Sequence, residues 1–522
     1  MPSTTHEPPD TAAQSRQKSS GARTNLAVSL ISGGLLVAFV VAAVVAPTAT
    51  GDAVTAAFTA SADLFGPYWQ VLLLATFLVA VVLGASRLGR VRLGGVDARP
   101  EFGTFKWIAM IMTTLLAAGG VFWAAAEPVF HFADLPPAYS DVAPGSAEAV
   151  TVALAQSFSH WGFLAWAVLG TLGAIVMLRA QDKGLPLRPR TLLDPVFGER
   201  IQHHWGGTVV DVISIIAVVA GTVGPVGFLG LQVSYGMSQM FGTPDTFPVQ
   251  LLIIVGLTAI AAISVATGLE KGIQTLSRFN IWLAVAVVAA ILVVGSASFV
   301  VDGFLTGFAR YAQDFAPLSL YRGDNDWLGS WTVFFFGWFI GYAPLMSIFV
   351  ARISRGRTVR QLVGYIAVVA PVATALWFTV LGGTGIMLEQ RTPGSVSGPL
   401  NDAGLPAAVV AITQQLPWGG VLGVALLVLT TTFVATTTDS MSLAISTSAS
   451  NGGEPPRKAR VFWSMMIGAA ACALVSVGDS GVDALQSFIV VTAVPVGFVL
   501  LPSLWSAPKV LREMAAEQEI GR

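Results

Sequence analysis

Residues 331–358 read WTVFFFGWFIGYAPLMSIFVARISRGRT, and this stretch decides the fold class. Its aromatic, apolar part is long enough to cross a lipid bilayer. Gly337, Gly341 and Pro344 interrupt it, and Arg352, Arg355 and Arg357 follow directly. In water such a segment would expose a large apolar surface. In lipid it reads as a pathway-lining helix, broken near its glycines and proline and ended by a basic cytoplasmic stop.

The rest of the chain has the same character. Its 522 residues are 54% hydrophobic and only 11% charged, against roughly 25% charged in a soluble domain. Twelve apolar runs of bilayer length recur between residues 25 and 506. The expected fold is therefore an all-α integral membrane protein with twelve transmembrane helices and one transmembrane domain over 25–506. Residues 1–24 are polar and read as a disordered cytoplasmic tail, and 507–522 as a short cytoplasmic one. A net charge of −1 argues against nucleic acid as a partner. Cys472 is the lone cysteine, so no disulfide forms within the chain, and its apolar surroundings predict a buried thiol.

Charge fixes the expected orientation. With the N-terminus in the cytoplasm, 25 of the 28 Lys and Arg residues fall on the cytoplasmic side, and only Arg310, Arg322 and Arg391 fall outside. That asymmetry predicts a multi-pass membrane protein with both termini cytoplasmic. The third run contains GGVFWAAAEPVF (119–130) and the eighth GWFIGYAPLMSIF (337–349). Glycine, aromatics and then proline recur five spans apart, which suggests two inverted repeats with a site between them.

Three carboxylates fall within the runs: Glu127, Asp211 and Asp439. Each costs about 2.5–3.5 kcal/mol to insert, so each needs a role in a pathway, a gate or a helix break. Thr436 and Thr437 lie in a hydroxyl-rich run around Asp439 and suit a hard cation such as sodium. The same hydroxyls also suit bonding to their own helix. Trp123, Trp161, Trp166, Trp338, Phe339 and Tyr342 are candidate substrate-binding aromatics, because ring faces bind quaternary ammonium groups. Trp69 and Trp331 sit at run ends and read as an interfacial belt. His131 and His160 belong to no recognisable metal motif. There is no P-loop, nucleophile elbow or cofactor motif, so an enzyme or an ATP-driven pump is not expected. The basic run at 351–363 suits contact with anionic membrane lipid.

The block from Trp331 through ARISRGRTVRQLV resembles the betaine/choline/carnitine transporter family. AEP (126–128), HWGFLAWA (160–167), KGLPLRPRTLLDPVFGERI (183–201), KGIQTLS (271–277), LGGTGIMLEQ (381–390) and TTDS (437–440) extend the likeness over most of the chain. The resemblance implies two inverted five-helix repeats, helices 3–7 and 8–12, of the sodium-symporter type, usually in a homotrimer. It implies secondary transport of a small zwitterion such as betaine, choline, carnitine or ectoine by alternating access, coupled to sodium or protons. An exchanger without ion coupling and a carrier of a small organic anion such as a sulfonate are the alternatives. Trp161 and Trp166 match tryptophans of the family's aromatic box, and Trp338 keeps a tryptophan beside it. Phe339 and Tyr342 stand where tryptophan is usual, and Leu169 where betaine carriers have tyrosine. Weaker cation–π attraction follows, with glycine betaine expected to be a poor ligand. Thr436 and Thr437 match one sodium site. Thr222 is retained from a second, where Val218 has replaced a hydroxyl. Glu127 and Asp439 are expected to be gating or structural carboxylates. The short, mixed-charge C-terminal tail implies uptake that is not gated by osmolality.

Overall fold

The protein is described by a computed structural model over residues 25–267, 270–450, 455–477 and 481–520, without the side chains of 115–118, 270–275, 277 and 481. The expected N-terminal tail lies outside the described residues. Ten helices are long and apolar enough to cross a bilayer, and two bent helix pairs bring the number of spans to twelve. In chain order these are Leu26–Val45, Pro47–Ala85, Thr104–Ala133, Ala147–Asp182, Trp205–Phe241, Phe247–Thr267, Glu270–Val294, Asn325–Ile353, Val359–Arg391, Gly419–Ser448, Arg457–Val475 and Gly481–Leu500.

The element order repeats from the third span to the seventh and from the eighth to the twelfth. Each repeat is followed by an amphipathic helix. The seventh span turns by 107° into Ala297–Gln313. The twelfth breaks at Leu501–Pro502 and continues as the amphipathic helix Ser503–Glu517. Five spans is an odd number, so the second repeat crosses the membrane in the opposite sense to the first. Counterparts pack on each other, the fifth span on the tenth and the sixth on the eleventh.

Burial separates an inner set of spans from an outer one. The fourth, fifth and eighth are 94%, 89% and 94% buried over their apolar windows, whereas the first and sixth are 28% and 33% buried. The inner spans are hydrophobic all round because every face meets protein, and the outer ones present an apolar face to lipid.

Two local expectations are corrected. The eighth span does not break at Gly337, Gly341 or Pro344; Phe334–Ile353 is continuous helix with Pro344 inside it. Its irregularity is instead a π-helical turn at Gly329–Val333. Proline is tolerated there because packed neighbours compensate for the missing backbone bond. Trp69 and Trp331 are not an interfacial belt: both are buried, Trp69 completely. Gly337 permits the close packing of Trp69, since a Cβ there would lie 2.8 Å from its ring.

The basic block does structural as well as topological work. Arg360 donates to the carbonyls of Gly84, Ala85 and Ser86 at 3.0, 3.3 and 3.1 Å, capping the C-terminal end of the second span. Arg357 reaches the Phe102 carbonyl at 2.6 Å and Thr104 Oγ1 at 2.9 Å. Helix Ser503–Glu517 is tied down as well. Arg179 pairs with Glu517. The Gln518 side chain accepts from the Arg92 N–H at 2.9 Å and donates to its carbonyl at 2.7 Å.

Asp211 is fully buried and meets Arg190 Nε at 2.7 Å, while the Arg190 backbone N–H donates to it at 2.8 Å. Breaking a buried pair strands the partner's charge. Asp211→Ala should therefore cost about 3–5 kcal/mol, and the joint change Arg190→Met with Asp211→Leu much less. Thermal unfolding in detergent reads the difference; equal losses in the two variants would contradict this assignment.

Candidate functional site

The third, fourth and eighth spans converge on an aromatic cage. Trp161 of the fourth span meets Trp338 and Phe339 of the eighth edge-to-face, with ring centroids 5.8 and 5.4 Å apart. Trp338 and Phe339 lie parallel, 6.2 Å apart. These rings, with Leu169, Tyr342, Thr114 and Gly119, enclose about 20 Å³. That is room for about one water, far below the roughly 300–1,000 Å³ of an ordinary ligand pocket. The cage is closed in this structure, and the rings must part to admit a solute.

Three of the four rings are held from behind. Trp161 Nε1 donates to Glu127 Oε2 at 2.9 Å. Trp338 Nε1 donates to the Gly221 carbonyl at 3.1 Å. Tyr342 OH shares a 3.0 Å hydrogen bond with Thr222 Oγ1, which also donates to the Val218 carbonyl at 2.7 Å. Two glycines permit this closeness. A Cβ on Gly119 would lie 2.6 Å from the Trp338 ring and 2.9 Å from that of Trp161, and one on Gly221 would lie 2.3 Å from Tyr342.

Two other candidate aromatics lie off the cage wall. Trp166 Nε1 donates to Thr374 Oγ1 of the ninth span at 3.1 Å. Trp123 packs among Phe122, Phe228, Trp331, Phe334 and Phe335. Sequence reasoning did not anticipate Gly119, Gly221 or Thr374. The glycines carry a weak signal, standing in helices where alanine would otherwise be preferred.

The hydroxyl run of the tenth span forms a second small space, about 50 Å³, lined by Thr113, Thr114, Asn280, Thr436, Thr437 and Ser440. Asn280 of the seventh span donates to Thr436 Oγ1 at 3.3 Å, while its Oδ1 is buried without a hydrogen-bond partner. The oxygen-rich lining suits a hard monovalent cation. Thr222 lies apart from this space, against Tyr342. Asp439 lies apart from it too, paired with Arg460 of the eleventh span at 3.3 Å.

Glu127 is wholly buried. Besides Trp161, it meets His160 Nδ1 at 2.6 Å and His131 Nε2 at 3.5 Å. His160 Nε2 in turn lies 2.9 Å from both Thr332 Oγ1 of the eighth span and Gln156. The sequence offered no metal motif for these histidines because His160 is 33 residues from Glu127; the fold brings Glu127, His131 and His160 together.

The chain as a whole is similar to known membrane transporters. Residues 27–516 match the betaine/carnitine/choline family transporter profile. The chain belongs to this family. It is 47% identical over 489 residues to "Glycine betaine transporter 2" of Vibrio parahaemolyticus, covering 94% of this chain and 90% of that protein. It is 33% identical over 511 residues to the "Ectoine/glycine betaine/proline transporter EctP" of Corynebacterium glutamicum, covering 95% and 81%. A solved Na+-coupled sialic acid symporter, captured substrate-bound and outward-open, aligns with a TM-score of 0.42 at 14% identity, covering 80% of this chain and 81% of that one. The chain is thus a multi-pass membrane transporter and not an enzyme.

If the closed rings define the substrate site, Gly119→Ala will push Trp161 and Trp338 apart and raise the apparent KM for the transported solute about tenfold. An unchanged KM would place the substrate elsewhere.

Proposed function

We propose that this transporter imports a small zwitterionic compatible solute with a methylated or otherwise delocalised cationic head, glycine betaine first. The observation that carries this reading is the closed cage of Trp161, Trp338 and Phe339 between the fourth and eighth spans. Ring faces attract a desolvated onium group by about 0.5–2 kcal/mol each. Substitution of the usual cage residues by Phe339 and Leu169 argued for poor betaine binding. Two retained tryptophans and the glycine betaine name of the 47%-identical relative argue the other way. Ectoine and proline, named for the Corynebacterium relative, are the next candidates.

Transport runs by alternating access. The rings part toward one side, close over the solute, and part toward the other. Trp161, Trp338, Phe339 and Tyr342 form the inner wall of the site. Trp166, anchored on Thr374, and Trp123 support it from outside the cage. Glu127 positions Trp161, and Asp439 holds the tenth span to the eleventh. Sodium at the space lined by Asn280, Thr436 and Thr437 is the favoured coupling ion, with Asn280 Oδ1 as an available ligand. Thr222 serves the cage through Tyr342. The setting is a plasma membrane and the assembly a homotrimer, both as usual for the family, with both termini cytoplasmic on the strength of the Lys/Arg asymmetry.

Purified protein in proteoliposomes should take up radiolabelled betaine faster with an inward sodium gradient, with a Hill coefficient for sodium near one. Thr437→Ala should abolish the sodium stimulation. Uptake of ectoine or a sulfonate with none of betaine would overturn the onium reading. Sodium-independent counterflow would replace symport by exchange. In the same assay Leu169→Tyr adds a ring to the cage and should tighten betaine by roughly 2- to 30-fold. A looser fit would show that Leu169 does not face the cationic head.

A further inference from the structure

The transport reading uses Glu127 only to hold Trp161, which leaves a feature of the same cluster unexplained. His131 is fully buried, yet neither of its ring nitrogens has a hydrogen-bond partner. It stands one helical turn after Glu127, on the same face of the third span. His160 of the fourth span faces the same carboxylate oxygen. Donor atoms of Glu127, His131 and His160 all lie within 4.8 Å of one another, the one such grouping among the described residues.

We propose that Glu127, His131 and His160 form a binding site for a borderline divalent transition metal of zinc's size, and that metal bound there locks the third and fourth spans together. Carboxylate and imidazole are the donors such ions take. In a tetrahedral zinc site, bonds of about 2.0–2.1 Å put neighbouring ligand atoms roughly 3.3 Å apart. The 3.5 Å between Glu127 Oε1 and His131 Nε2 already has that spacing. The 2.6 Å contact of the same oxygen with His160 Nδ1 is a hydrogen bond. It must widen by about 0.7 Å, within reach of side-chain rotation, as the metal takes the proton's place at Nδ1 and the ring keeps its one proton on Nε2, remaining neutral. The supporting groups are present. Thr332 Oγ1, 2.9 Å from His160 Nε2, can accept the Nε2–H of a metal-bound ring, as second partners of metal-bound histidines do, and Gln156 joins it once its amide turns to present Oε1, which is buried here without a partner. His131 needs no bond broken before it can bind.

The site is covered by the rings of Trp327, Trp331 and Phe335. Metal therefore loads when this end of the eighth span moves away, and loaded metal resists the next opening. The locking half of this proposal rests on the alternating-access reading; the binding half does not.

Cobalt binding to the purified full chain in detergent, followed by visible d–d absorption and calorimetry, tests the site without any transported solute. Wild type should bind one cobalt ion saturably, with zinc displacing it, and His131→Gln should weaken binding about a hundredfold or more. His131 makes no hydrogen bond, so this variant is the least apt to disturb folding. His160→Gln is the second variant, and melting temperature checks both. In proteoliposomes that transport, external zinc should slow uptake in wild type but not in His131→Gln. Absence of saturable cobalt binding, or equal affinity in wild type and His131→Gln, would overturn the site. Tight binding with no effect of zinc on uptake would overturn the lock. Failure of all uptake, with cobalt binding intact, would count against the transport reading alone.

Discussion

A carboxylate removed from water must be satisfied by its neighbours, and the structure around the cage depends on how Glu127 achieves this. It lies fully buried in the third span, where no permanent cation pairs with it among the described residues. Its two oxygens instead take the indole N–H of Trp161 and the imidazole of His160. In a low-dielectric interior such bonds are strong, and leaving one unmade is costly. The carboxylate thereby fixes the cage's central ring, and His160 passes the constraint to Thr332 on the eighth span. The third, fourth and eighth spans are thus joined through two side chains, Glu127 and His160.

Two other buried carboxylates show the same logic with different partners. Asp211 and Asp439 are each met by an arginine, Arg190 and Arg460, and serve to hold elements in place. Of these three carboxylates, Glu127 alone bonds to an aromatic ring that faces the cage. The basic segment after the eighth span acts in the same way at the membrane boundary. Arg357 and Arg360 bind backbone carbonyls at the edges of the second and third spans.

Much of this was legible in the sequence. Apolar length gave the twelve spans, and the odd spacing of the two glycine–aromatic–proline segments gave the inverted repeats, because both depend only on local composition and order. The helix break at Gly337 to Pro344 was misread because a proline in a packed span is compensated by neighbours that sequence does not display. Trp123 and Trp166 were grouped with Trp161 for a related reason. A span buried on every face has no amphipathic stripe to say which ring points inward. Long-range partners were out of reach: Glu127 with His160, Trp166 with Thr374, Asn280 with Thr436. Each joins different spans, and no local period encodes which faces meet.

The central claim is that Glu127 holds Trp161 in a cage that recognises positive charge. The most direct test compares calorimetric binding of glycine betaine with that of its carbon isostere, 3,3-dimethylbutanoate, in wild type and Glu127→Leu. The two ligands match in shape and carboxylate and differ only in the cationic centre. The account predicts at least about a tenfold preference for betaine in wild type, from two or more rings acting on a desolvated cation. It predicts that the preference falls sharply in Glu127→Leu as Trp161 loses its anchor. Equal affinity for the two ligands in wild type, or a preference unchanged by Glu127→Leu, would contradict it.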